Sequence, residues 1–226
     1  MDTSDYFSGM FQNDERGPPS GFDALFELEK ACHHEAAHAV VEYALGNLLE
    51  HIGVCANYNV DDDGAHTVGY TGLVRKRGRH RVTIDYDYRP LHFRTGVVFA
   101  AGPAGERRHC VEREAQIRLL GASEGDHIGI DTIGRMLEQR GRDRYAYRRL
   151  IWHAAKRIVA MPDVWAAICD VADDLFQAAC DAEPPLRGEV WFRVEPRDVY
   201  RHCRRAGVTR GKLLPSVINR RVPAAA

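Results

Sequence analysis

The chain has 226 residues, 45% hydrophobic and 28% charged, an ordinary globular composition long enough to bury one sizeable core. Its formal net charge of −1 supplies no electrostatic pull toward nucleic acid or an anionic membrane surface. No stretch approaches the roughly 18 apolar residues of a bilayer span, and the N-terminus lacks the basic-then-apolar pattern of a secretory signal. The six cysteines show no CxxC spacing, so the expectation is a cytoplasmic protein with reduced thiols.

In chain order, residues 1–21 are polar and end in Gly17-Pro18-Pro19-Ser20-Gly21, which reads as a disordered N-terminal arm stopped by a breaker. Phe22 to about Leu45 has no internal Gly or Pro and reads as a helix, with Gly46 as its stop. Strands are expected at Ile52–Tyr58 and Thr67–Val74, separated by the acidic turn Asp61-Asp62-Asp63-Gly64, and a further one at Val82–Tyr86. Helices are expected over Pro90–Cys110, Asp126–Arg140, Arg144–Met161 and Pro162–Asp181. A strand at Glu189–Val194 and a last helix at Pro196–Arg205 follow. From about Gly207 the chain is basic, then small and apolar, and residues 207–226 read as a frayed C-terminal tail. The domain proper is therefore 22–206, a mostly helical α+β unit with a small β-sheet.

The strongest chemical signal is His34-Glu35-Ala36-Ala37-His38, an HExxH pentapeptide inside the first expected helix. Residues four apart share a helix face, so both imidazoles can converge on one ion. Zn²⁺ takes nitrogen ligands at about 2.0–2.1 Å, and two of its four positions would then be filled. Glu35 projects beside the ion and can take a proton from its water, whose pKa the ion lowers to about 7. His33 lies about 100° away on the helical wheel and is not expected to be a ligand. A catalytic site needs a third protein ligand and an open position; the downstream candidates are Glu106, His109, Glu112, Glu114, Asp126 and His127.

The run Ala31–Leu45 resembles the active-site helix of the FtsH-type ATP-dependent zinc proteases. The likeness continues in order through Val68-Gly69-Tyr70-Thr71, Ala101-Gly102-Pro103-Ala104-Gly105-Glu106 and Gly121-Ala122-Ser123-Glu124-Gly125-Asp126, and faintly at Leu186-Arg187-Gly188-Glu189. The resemblance implies a zincin-like metallopeptidase fold, zinc held by His34, His38 and Asp126, Glu35 as the base, and a protein or peptide substrate. A Gly-rich turn opening a helix also suits a carboxylate aimed at a neighbouring helix, although Ser123-x-x-Asp126 fits a capping box equally in pattern. Glu106 stands as the alternative ligand, or as an acceptor that orients a histidine. Glu112 and Glu114 read as a solvated helix end, His109 and His127 as ordinary polar positions.

The sequence departs from that family at Ala37, where the family has Gly, and at Glu124-Gly125, where one residue is added before the Asp. Gly207–Leu213 lacks the loop length and the Ser/Thr of a phosphate-binding loop, so ATP dependence does not transfer and a separate unfoldase or adaptor is the implied partner. The basic cluster Arg75–Arg81 has no interleaved aromatics and reads as a solvated loop, not as a nucleic-acid site. Asp61–Asp63 lacks the spaced ligands of a calcium loop. Thr67–Val74 is expected to be an edge strand along which an extended substrate lies. The rival readings are a non-catalytic zinc domain that binds a partner, and a DNA-linked regulator.

Overall fold

The computed structural model describes residues 9–10, 21–60, 66–76, 89–113, 124–138, 143–182 and 188–213. Among them lie β1 (Gly9–Met10), α1 (Gly21–Ala44), β2 (Leu49–Val60), β3 (His66–Lys76), α2 (Arg89–Glu112), α3 (Glu124–Glu138), α4 (Arg144–Val159), α5 (Pro162–Cys180), β4 (Gly188–Arg193) and α6 (Pro196–Arg205). The expected acidic turn at 61–64, the strand at Val82–Tyr86 and most of the basic cluster fall outside the described residues.

Helix α1 is the axis of the fold. From Leu28 to Leu45 nearly every residue is buried, on all sides of the helix, which is the signature of a core helix rather than a surface one. Its small residues Ala31, Ala36, Ala37 and Ala39 are fully buried, so neighbouring backbones can come close. Helices α2 and α5 pack along it, and β2 and β3 cover another side. Gly46, at φ +96°, ends it in a conformation that favours glycine.

The sheet is antiparallel, in the order β1-β3-β2-β4. The β2–β3 hairpin pairs Val54 with Gly72 and Ala56 with Tyr70, and β4 pairs Phe192 with Val54 on the other side of β2. Ile52, Val54, Ala56, Tyr70, Val74 and Phe192 are buried. Along the outer side of β3, Gly9 pairs with Gly72 and Met10 with Thr71. The strand expected to be an open edge therefore has a short neighbour, and two residues of the arm expected to be disordered are strand.

The segment after α6 also differs from the frayed tail expected from the sequence. Val208 and Leu213 are buried, Leu213 N–H donates to Ala44 O at 3.0 Å, and Arg210 Nε to Gly46 O at 2.8 Å. These bonds satisfy carbonyls at the end of α1 that the helix itself leaves open. The buried cysteines Cys32, Cys55, Cys110 and Cys203 are free thiols, as are Cys169 and Cys180. No described helix is long and apolar enough to cross a membrane.

Helices α1 and α2 cross so closely that a Cβ built on Gly105 would lie 2.6 Å from the Ala37 Cβ. Any side chain there must push the two helices apart. Gly105→Val should therefore lower the unfolding free energy by about 2 kcal/mol or more, read as a lower urea midpoint. An unchanged midpoint would contradict the crossing.

Candidate metal centre

The centre lies where α1, α2, α3 and β3 meet. His34 and His38, one turn apart on α1, place their Nε2 atoms 3.1 Å from each other, with the rings inclined at 75°. Asp126, in the first turn of α3, brings Oδ2 to 2.9 Å from His34 Nε2 and 3.3 Å from His38 Nε2. The three atoms form a triangle with edges of 2.9, 3.1 and 3.3 Å. Donors about 2.0 Å from a tetrahedral ion stand about 3.3 Å apart, so this triangle has the size of one face of a zinc-like coordination sphere. His34, Glu35 and His38 likewise offer ligand atoms within 4.8 Å of one another, a buried group able to hold a metal ion.

The rings are held by their far nitrogens. His38 Nδ1–H donates to the Val98 carbonyl at 2.8 Å. A carbonyl only accepts, so the Nε2 of the neutral ring carries its lone pair toward Asp126 and His34. His34 Nδ1 lies 3.2 Å from Glu106 Oε2, an arrangement that orients the ring and raises its basicity as a ligand. Glu106 thus contacts the far side of His34, and the carboxylate beside both Nε2 atoms is that of Asp126. Helix α3 starts at Glu124, which puts Asp126 in its first turn, and there its Oδ2 faces the two imidazoles.

Two glycines make room for this. A Cβ on Gly102 would collide with Nε2 of both histidines, and a Cβ on Gly72 would collide with the Glu35 carboxyl. The α2 backbone therefore lies directly against the imidazole pair, and the β3 backbone directly under Glu35. In sequence, Gly102 lies inside one family-like segment and Gly72 directly follows another, but the need for a missing Cβ is a three-dimensional fact.

The electrostatics call for a cation. Asp126 is 7% exposed and its Oδ2 faces the two imidazoles, while among the described residues no Lys or Arg pairs with it. A buried carboxylate without compensation is costly. Burial opposes charge on His34, but the carboxylates of Asp126 and Glu106 outweigh it and hold that ring well above its usual value. Asp126 itself, in spite of burial, is held far below the usual carboxylate range by His38 and His34. The carboxylate thus draws positive charge into the site, as protons on the rings or as a divalent ion between them. Burial pushes the Glu35 carboxyl up to about 7, against the pull of His38 and His34.

The other candidates lie elsewhere. His33 faces away from the centre, its Nδ1 2.8 Å from Glu29 O and its ring stacked on buried His109 at 3.8 Å. His109 is thus an internal packing residue, closer to the core than its reading as an ordinary polar position implied. Glu112 is the exposed last residue of α2, as a solvated helix end should be, and accepts from Trp165 Nε1 at 3.0 Å and Arg108 Nε at 2.9 Å. Exposed His127 lies beside Trp152, and Glu114 falls outside the described residues.

No protein-family model matches the chain, and a search of curated proteins and solved structures found no significant match.

Replacing Gly102 with Ala should cut divalent metal uptake sharply, because the added methyl occupies space beside both Nε2 atoms. Asp126→Ala should do the same by removing the carboxylate that faces both Nε2 atoms. Metal per chain after dialysis, measured by inductively coupled plasma mass spectrometry, checks both. Full metal content in either variant would contradict the geometry.

Proposed function

We propose that this chain is a zinc-dependent metallopeptidase that hydrolyses peptide bonds in flexible or unfolded protein segments. The observation that carries the reading is the buried Asp126 carboxylate, 2.9 and 3.3 Å from two imidazoles a helical turn apart, with the Glu35 carboxyl buried beside them. Two nitrogens and one oxygen at these separations suit zinc in a site that keeps one position for water or substrate. The zincin-like fold and the FtsH-type resemblance in sequence belong to the same proposal.

His34, His38 and Asp126 would hold the ion. When bound, zinc supplies polarisation of the scissile carbonyl and a water acidified to a pKa of about 7. Glu35 takes the proton of the attacking water on a carboxylate oxygen and delivers it to the leaving amine. Glu106 and the Val98 carbonyl keep both rings aimed. Without a phosphate-binding loop in the sequence, unfolding of a stable substrate falls to a separate unfoldase or adaptor.

One feature favours a second reading. His34, Glu35 and His38 are 2%, 3% and 4% exposed, and closed sites are typical of structural zinc. On that reading the chain is a non-catalytic, partner-binding zinc domain.

Glu35→Gln separates the two. A peptidase loses casein hydrolysis by a factor of about 10² or more while zinc stays at one per chain. If the unaltered zinc-loaded chain cleaves no unfolded protein, or if Glu35→Gln cleaves equally well, the peptidase reading fails.

A further inference from the structure

The outer side of β3 beside the centre carries an extended piece of the same chain. Gly9 pairs antiparallel with Gly72, and Met10 with Thr71. Gly72 is the residue whose backbone lies directly under the Glu35 carboxyl. A strand paired there runs about 4.8 Å from that backbone. β1 also touches α3, the helix that presents Asp126 to the two histidines. The two-residue strand thus contacts both the strand beneath Glu35 and the helix bearing Asp126.

An extended backbone is what a peptide substrate brings to such an edge, because ladder hydrogen bonds accept any sequence. We propose that Gly9–Met10 is a built-in occupant of the peptide-docking edge of β3, so that the N-terminal segment competes with extended polypeptides for Thr71–Gly72. The proposal rests on the peptidase reading for its functional meaning, and on the strand register for its geometry. A tethered competitor acts at an effective concentration in the millimolar range, high enough to suppress weak substrates yet open to displacement by a long or pre-extended one. A purely architectural β1 would instead add stability without affecting peptide binding.

The test keeps the full chain and replaces both β1 residues, Gly9→Pro with Met10→Pro, which removes the backbone donors of β1. In a Glu35→Gln background, to prevent turnover, a fluorescein-labelled synthetic peptide with the sequence of residues 3–14 is titrated and followed by anisotropy. The double-proline chain should bind it about tenfold more tightly or better than the chain with β1 intact. The amides of Thr71 and Gly72 should also exchange hydrogen faster in the double-proline chain. Equal peptide affinity in the two chains, binding by neither, or unchanged exchange would overturn the proposal. With Glu35 restored and zinc bound, the double-proline chain should show a KM for denatured casein about tenfold lower at unchanged kcat. Should neither chain cleave casein while affinity and exchange change as expected, the peptidase reading falls and the competition for the β3 edge stands.

Discussion

A carboxylate buried against two imidazoles is the contact around which the rest of this molecule is arranged. Asp126 Oδ2 reaches both Nε2 atoms from a different helix, far along the chain. In a low-dielectric interior an anion in that position demands positive charge. Protons on His34 and His38 can supply it, and so can one divalent cation in the triangle between the three donors. The neighbouring groups act in the same direction: Glu106 holds His34 from behind, and the Val98 carbonyl fixes the His38 tautomer.

Bringing four elements to one point requires that little stand between them. Helix α1 is buried around its whole circumference and lined with alanines. Gly102 and Gly105 let α2 lie against it, and Gly72 lets β3 pass beneath Glu35. The same closeness leaves the histidines and Glu35 almost without solvent contact, which raises the Glu35 carboxyl toward neutrality. Packing and acid–base chemistry are thus two consequences of one set of missing side chains.

Much of this was legible from residue order. The helices were expected within a few residues of where they lie, because long apolar-periodic segments bounded by Gly46, Pro162 and Pro196 carry strong local signals. The i, i+4 spacing of His34 and His38 needed only helical geometry. Residue order points to Asp126 only through the family resemblance and the Gly-rich turn before it, and it leaves Glu106 open between ligand and orienting acceptor. Only the fold decides it, since the two roles differ in which ring nitrogen the carboxylate meets. Two segments were misread for a shared reason. Gly9–Met10 and 207–213 are short and are held by backbone hydrogen bonds to distant residues, which leaves no periodicity in sequence. Strands β2 and β3 extend beyond their expected ends because polar residues such as His51 and Asn59 stay in the ladder.

Anomalous diffraction at the zinc absorption edge, from crystals of the full chain grown with stoichiometric zinc, tests the central claim most directly. The account predicts one peak within about 2.0–2.2 Å of His34 Nε2, His38 Nε2 and an Asp126 carboxylate oxygen, with Glu106 remaining on His34 Nδ1. A peak ligated without Asp126, or none between the two histidines, would contradict it.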